Sequence, residues 1–372
     1  MSEYYVGLMS GTSMDGIDAA LVDFSDNDIP RLVCSHSHEW PATIHQQLQA
    51  ARNLPDDQLH TLQSLDVQLG EIFAEATQAL LNKSSVTSKE IIAIGNHGQT
   101  IRHRPDAAKP FSLQIGNAKI LSQKTGISVI DDFRTADIEA GGQGAPLAPA
   151  FHEMVFRNHN ENIGILNIGG IANLTILPAS SVQPVTGFDT GPGNTLMDAW
   201  ITKTRGDYFD KDGNFARSGE INADLLNHCI RDHYFDTKPP KSTGFEYFNL
   251  DWLDRQISNS ACKGLNDADI QATLCELTAR SIARAVKQYI PDFNHLLICG
   301  GGVHNSYLME RIQQSLPEYK IESTDMFGIA PDWVEAMAFA WLARQTMNQQ
   351  PGNLPSVTGA SKKVVLGRIT QS

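Results

Sequence analysis

The stretch Met9-Ser-Gly-Thr-Ser-Met-Asp-Gly-Ile-Asp18 gathers glycines, hydroxyls and carboxylates into one short turn, a set of groups suited to phosphate oxygens. Gly11 and Gly16 let backbone approach a ligand closely, Thr12 and Ser13 offer hydroxyl donors, and Asp15 and Asp18 could hold Mg²⁺ through water. The flanking residues decide what kind of turn this is. Tyr4-Tyr-Val-Gly-Leu8 and Ile17-Asp-Ala-Ala-Leu-Val-Asp-Phe24 both read as strands, which makes a hairpin. A P-loop or a dinucleotide turn needs a helix after its glycines, so neither fits well. Taken alone, the turn reads equally as an ordinary hairpin loop.

A second copy of the pattern favours the phosphate reading. Asn162-Ile-Gly-Ile-Leu-Asn-Ile-Gly-Gly-Ile-Ala-Asn-Leu-Thr-Ile-Leu177 is again strand, glycine turn, strand, with Gly169 and Gly170 at the bend and Asn167 and Asn173 on either side. Two such hairpins, each opening one half of the chain, predict a duplicated architecture. His295-Leu-Leu-Ile-Cys-Gly-Gly-Gly302 ends a buried strand and leads into helical spacing from Val303 to Ile312, capped by Asn305 or Ser306. Gly300, Gly301 and Gly302 would let an adenosine or its α-phosphate lie against bare backbone at that helix start. Together the three loops describe a nucleotide held between two related halves.

Asp189 stands where a strand runs out into Gly191-Pro-Gly-Asn194, ahead of a helix beginning near Thr195. A carboxylate there faces the crevice outside the strand ends, where α/β proteins bind ligands. It is the candidate general base; the alternative is an Asp that only caps its own turn. Asp198, inside the helix, reads as structural. Gly95-Asn-His-Gly-Gln-Thr-Ile-Arg-His-Arg-Pro105 follows a buried strand at Ile91 and mixes donors and acceptors, as a polyhydroxylated ligand requires. His97 and Gln99 are the leading contacts, while Arg102 and Arg104 read equally as solvated. Arg134, in Ile130-Asp-Asp-Phe-Arg-Thr-Ala-Asp137, could pair bidentately with a substrate carboxylate or bridge to Asp131 or Asp137. Pro239-Pro-Lys-Ser-Thr-Gly244 and Glu335 are further polar points that read somewhat more readily as structural. Gly141-Gly-Gln-Gly144 is a candidate hinge or cover.

These groups need elements to place them. Asp57 to Leu81 carries Leu59, Leu62, Val67 or Leu69, Phe73, Ala76 and Leu80 at nearly helical spacing, and Leu274 to Ile290 repeats it through Leu277, Ile282, Val286 and Tyr289. Pro331 to Met347 opens with Pro at a helix start and is expected to bury Trp333, Met337 and Trp341. Buried strands are read at Ile91 to Ile94, Ile127 to Ile130 and Leu296 to Cys299. An α/β layer arrangement follows. At 372 residues the chain exceeds the size at which one core stops growing. Two domains are expected: residues 1–128, to which 352–372 return through a strand in Lys363-Val-Val-Leu-Gly-Arg368, and residues 129–351.

A charged share of 19% and an apolar share of 41% describe a globular chain. The net charge of −13 argues against nucleic acid or an anionic membrane as partner. Five cysteines without a CxxC pair support neither a disulfide framework nor a zinc site, and no HExxH pattern points to a protein-bound transition metal. No cationic segment followed by an apolar core is read near Glu3, and no apolar run reaches bilayer length, so a cytoplasmic location is expected.

Gly11-Thr-Ser-Met-Asp-Gly-Ile-Asp18, Asn96-His-Gly-Gln-Thr100, Asn167-Ile-Gly-Gly-Ile-Ala-Asn173, Gly187-Phe-Asp-Thr-Gly-Pro-Gly-Asn194, Pro240-Lys-Ser-Thr-Gly244 and Cys299-Gly-Gly-Gly-Val-His-Asn305 occur in one order. In that order they resemble the anhydro-N-acetylmuramic acid kinases, from the first strand to Leu354-Pro-Ser-Val-Thr-Gly-Ala-Ser361. The chain departs from the family motif at Phe245, where the family carries Arg. The resemblance implies a duplicated actin-like ATPase fold, ribonuclease H-like in each half, with a nucleotide and sugar cleft between two domains. It implies that ATP, carrying Mg²⁺, and water convert 1,6-anhydro-N-acetylmuramic acid to N-acetylmuramate 6-phosphate in peptidoglycan recycling.

Carried onto this sequence, the resemblance makes Asp189 the base that deprotonates the attacking water. It assigns ATP to Gly11, Thr12, Ser13, Met14, Asp15, Gly16, Ile17, Asp18, Asn167, Gly169, Gly170, Gly300, Gly301 and Gly302. Substrate falls to His97, Gln99, Arg134 and Glu335. The metal takes no direct protein ligand, and a homodimer is expected. Two alternatives stand: a kinase of the same fold that phosphorylates another sugar or a carboxylate without ring opening, and an actin-like or chaperone-like ATP switch.

Overall fold

The computed structural model describes residues 2–11, 14, 16–26, 30–105, 107–258 and 264–372, and the structural statements below concern those residues. They form two compact units, Met1–Val155 with Trp333–Ser372, and Phe156–Asp332.

In the first unit β1 (Tyr4–Ser10), β2 (Gly16–Asp23) and β3 (Arg31–Glu39) form an antiparallel meander. From β1 the sheet continues in parallel through β4 (Ile91–Arg104) and β6 (Val129–Asp131). Here β5 (Phe111–Ile115) lies antiparallel on β4, and β12 (Arg368–Thr370) lies antiparallel on β6. The interior strand β1 is almost wholly buried and correspondingly apolar. The helix Gln63–Leu81 packs on β2 and β3 through Leu69, Phe73, Ala76 and Leu80. The helix Val334–Met347 lies on β1 and β4, and glycines make its approach possible. A Cβ on Gly7 would overlap Ala336 O, and one on Gly95 would overlap Phe339 O.

The second unit repeats the plan. β7 (Ile163–Ile168), β8 (Ile171–Leu177) and β9 (Thr186–Pro192) form the meander, and β10 (His295–Cys299) and β11 (Lys320–Ser323) continue in parallel from β7. The order β11-β10-β7-β8-β9 matches β6-β4-β1-β2-β3 strand for strand. The expected duplication is therefore present in the sheet topology. The helix Asp267–Tyr289, capped by Asn266, packs on β8 and β9, and its Ile282 and Val286 join Leu174 and Phe188 in one core.

Several expectations are corrected. The units divide at Val155 and again at Asp332, not at 128 and 351. The reason is that β6 pairs with β4 and the Val334–Met347 helix covers β1, so both belong to the first sheet. The tail does return to the first unit, but its strand is Arg368–Thr370 and not Lys363 to Arg368. The polar run after Ile94 is strand instead of loop, because β5 pairs with it from Gln99 to Arg104. Arg102 is buried there; it donates to Arg52 O at 2.8 Å and to Leu54 O, and it meets Asp56. Trp333 is only half-buried, whereas Met337 and Trp341 are buried. The Gly141–Gly144 segment, the candidate hinge or cover, is tied to its surroundings by hydrogen bonds. Gly144 N donates to buried Asp137 at 2.8 Å, Gln143 N donates to Thr358 O at 2.8 Å, and Asn353 and Thr358 of the tail bind the same Asp137.

Candidate active site

The turn between β1 and β2 is supported from beneath. Ser10 Oγ lies 2.7 Å from both Gly16 O and Gln99 Oε1, and Gln99 Nε2 donates to Gly11 O at 3.0 Å. Gln99 is fully buried with its amide spent on this turn, so it shapes the phosphate-type loop instead of presenting an open contact to a sugar. Met14 and Ile17 turn their side chains into the core, while Met14 N donates to Gly11 O at 3.3 Å and Ile17 pairs with His38 of β3. Asp18 is half-buried and accepts from Ser37 Oγ at 3.1 Å. Thr12, Ser13 and Asp15 lie outside the described residues.

The same unit holds a clamp on Arg134. His97 Nδ1 is 2.8 Å from Gly98 O, and Nε2 is 2.8 Å from Arg134 Nη2. A carbonyl only accepts and a guanidinium only donates, so the imidazole carries its one proton on Nδ1 and is neutral. Burial and the adjacent Arg134 cation push its pKa down to about 3. Arg134 Nη1 donates to Gly144 O at 2.7 Å, fixing the guanidinium from a second side. Of the two acids weighed as its partners, Asp131 pairs with Arg368 at 2.7 Å, and Asp137 accepts from Asn353 of the tail. His97 also lines a cavity of about 520 Å³ with Asn96, Gln114, Asp131 and Asp132. Glu335 is half-buried in the first turn of the Val334–Met347 helix.

In the second unit the Gly169–Gly170 bend is tied to the start of the helix Thr195–Arg205. Gly170 O accepts from Gly193 N at 2.8 Å and Thr195 N at 3.0 Å, and Gly169 O accepts from Asn194 N at 2.9 Å. Of the three later glycines, Gly300 has φ +81° and donates to Pro331 O at 3.0 Å, while Gly302 lies against Ile168. Gly301 is the exposed one with open space above it, so it offers the bare backbone. A short 3₁₀ turn, Gly301–His304, precedes the helix Ser306–Ser315, which Asn305 caps through Leu308 N at 3.0 Å. Asn167 is buried, with its Oδ1 against Gly300.

Asp189 is half-buried on β9, directly opposite Asn173 of β8, which itself stands opposite Asn167 of β7. Its carboxylate Oδ2 accepts from Thr243 N at 2.9 Å. Its backbone N donates to Lys241 O at 3.2 Å, and its backbone O accepts from the Tyr234 hydroxyl at 2.8 Å. The carboxylate is thus oriented by a loop far along the chain and does not merely cap its own turn. Lys241 Nζ donates to Tyr234 O at 3.1 Å and lies 4.4 Å from the Tyr234 ring centre. Burial and then Arg284 push its pKa down to about 8, against the opposing pull of Asp189 and Asp236. Burial, then the Asp189 charge, drives the Tyr234 hydroxyl pKa upward.

Sequence reasoning passed over Asn173, Tyr234, Lys241 and Thr243 as functional residues. The Pro239-Pro-Lys-Ser-Thr-Gly244 cluster was the available signal for the last two, and a lone amide inside the apolar run Ile171–Leu177 was the signal for Asn173. Phe245 is half-buried beside this loop.

The model of the anhydro-N-acetylmuramic acid kinase family matches residues 3–372. A protein of Shewanella halifaxensis (strain HAW-EB4) named anhydro-N-acetylmuramic acid kinase is 50% identical over 366 residues, spanning 98% of this chain and 98% of its own. Another of that name from Coxiella burnetii (strain Dugway 5J108-111) is 47% identical over 367 residues, spanning 99% and 97%. Among solved structures, the activator of 2-hydroxyisocaproyl-CoA dehydratase from Clostridium difficile with bound ADPNP covers 93% of this chain and 97% of its own at 13% identity, with a TM-score of 0.48, a likeness too loose for inference. The motif order, the duplicated sheets and the whole-length match agree: the chain belongs to the anhydro-N-acetylmuramic acid kinase family.

Proposed function

We propose that this chain uses ATP and water to open the 1,6-anhydro ring of 1,6-anhydro-N-acetylmuramic acid and to phosphorylate the 6-oxygen, giving N-acetylmuramate 6-phosphate and ADP. Similarity to enzymes of that name over 98% of the chain carries this reading. Asp189 is the base: it takes a proton from water as the water oxygen bonds to the anomeric carbon. The bond from that carbon to the 6-oxygen breaks, and the freed electron pair attacks the γ-phosphorus while ADP departs. Coupling the steps captures a poor alkoxide leaving group as it forms, so the protein mainly has to align the reactants. Thr243 N holds one oxygen of Asp189, which keeps the other aimed at the water.

Arg134, steadied by His97 and Gly144, pairs with the substrate carboxylate, and Glu335 serves the sugar. Backbone at Gly11, Gly16, Gly169, Gly170 and Gly301 takes the nucleotide. Mg²⁺ on the triphosphate supplies charge neutralisation. Asp18, a half-buried oxygen donor, fits a hydrated ion of that kind. The protein works in the cytoplasm as a homodimer, in recycling of cell-wall sugars; among the described residues no helix is long and apolar enough to cross a membrane.

The test is turnover of ATP with the purified anhydro sugar in ¹⁸O-labelled water, with glucose as control. Label is expected at the anomeric position and phosphate on the 6-oxygen. Phosphorylation without label would indicate a kinase that does not open the ring, and absence of turnover with the anhydro sugar would overturn the reading.

A further inference from the structure

Asp189 has a neighbour whose chemistry the family resemblance leaves unassigned. Asn173 stands directly opposite it in the strand register, so both side chains rise from one face of the sheet with Cβ atoms about 5 Å apart. The next pair in register, Leu174 and Phe188, points the other way into the core. Asn173 Oδ1 is buried and accepts no hydrogen bond among the described residues. The hydroxyl of Thr243, whose backbone holds Asp189, is likewise buried without a partner there. Buried carbonyl oxygens are nearly always paired, so this face calls for a donor that arrives with the reactants. ATP phosphates bring only acceptors. The sugar brings hydroxyl and N-acetyl N–H donors, and a water molecule brings two O–H groups; opposite the base Asp189 the donor that fits is the water it deprotonates.

We propose that Asn173 is a catalytic residue of the ring-opening step, its Oδ1 holding the second hydrogen of the water that Asp189 deprotonates. The inference rests on the reaction proposed above. One hydrogen of the water goes to the Asp189 carboxylate, and the other is held by Asn173. With both hydrogens engaged, the oxygen lone pair points away from the sheet toward the anomeric carbon. As the new C–O bond forms, the proton passes to Asp189, the bond to the 6-oxygen breaks, and that electron pair moves to the γ-phosphorus as ADP leaves. Lys241 and Tyr234 flank Asp189, with Asp236 and Arg284 beyond them, and substitution at Asn173 leaves these charged and titratable groups in place.

The test compares wild type, Asn173→Ala and Asn173→Asp in ATP turnover with the anhydro sugar across pH. For Asn173→Ala, kcat is expected to fall about 10- to 100-fold, the effect of one hydrogen bond to a developing charge, with KM for both substrates within about 2-fold. Asn173→Asp keeps an acceptor in nearly the same place but sets two carboxylates face to face. Turnover is then expected to recover at higher pH, with the acid limb of the rate profile moved up by about one pH unit or more. That limb moves wherever an acid faces Asp189, so it reports the pairing of positions 173 and 189, while a fall in kcat at unchanged KM in the alanine variant is the readout that a side chain that only packs would not give. Near-normal kcat in the alanine variant, or an unmoved limb in the aspartate variant, overturns the role of Asn173. Where the alanine variant does not fold, Asn173→Leu, of similar size and without an acceptor, decides by the same fall in kcat. Wild type inactive on the anhydro sugar would instead sink the reaction itself, so the two failures are told apart.

Discussion

Thr243 N donates to Asp189 Oδ2 at 2.9 Å across a separation of 54 residues. One carboxylate oxygen is thereby fixed by backbone. Asp189→Asn preserves the shape and this bond while removing the base. Turnover is expected to drop by about 10² to 10⁴, the usual share of a positioned base, with ATP and sugar binding retained by calorimetry. Near-normal turnover would remove Asp189 from that role.

Tyr234 hydroxyl donates to Asp189 O from within the core. Tyr234→Phe deletes that bond and strands the carbonyl, and unfolding stability in urea is expected to fall by about 1 kcal/mol. An unchanged midpoint would show that the bond contributes nothing net.

His97 fixes Arg134 while staying neutral, its pKa lowered from the ordinary 6.5 to about 3. Its neutral form stabilises the fold fully above pH 6.5, and that contribution is lost as pH falls toward 3, because the unfolded chain takes up a proton that folded His97 refuses. Denaturation midpoints measured from pH 7 down to pH 4 should therefore decline less steeply for His97→Gln than for wild type. Parallel curves would contradict the assignment.

Lys241 is lowered from the ordinary 10.5 to about 8. Above pH 8 the folded chain sheds a proton that the unfolded chain keeps up to 10.5, so the contribution of this residue to stability rises with pH across that window. Wild type should gain on Lys241→Met between pH 8 and pH 10.5 in chemical denaturation. A constant difference would show that the lysine does not titrate there.

Gly7→Ala places a methyl group against Ala336 O with no flexible side chain to yield. A loss of about 1 to 3 kcal/mol is expected, measurable by thermal unfolding. A neutral result would mean that the Val334–Met347 helix does not sit on β1 as described.

The paired hairpins were legible in the sequence because their signals are local: glycines at the bend, β-branched and apolar residues on either side, asparagines and aspartates next to the turn. Asp189 stood out as an acid before Gly191-Pro-Gly-Asn194, but it is not at the strand end: β9 runs on to Pro192, and Asp189 pairs with Asn173 at its middle. Where the first sheet ends was not legible, since β6 and the Val334–Met347 helix join it through partners far away in the chain. Gln99 and Asn173 show the same limit from opposite sides. Both are amides near glycine turns, yet strand register and burial spend one on Gly11 and leave the oxygen of the other, a residue opposite Asp189, without a partner among the described residues. Residue type determines which bonds a side chain can make; only packing between distant segments decides which of them remain open to a ligand.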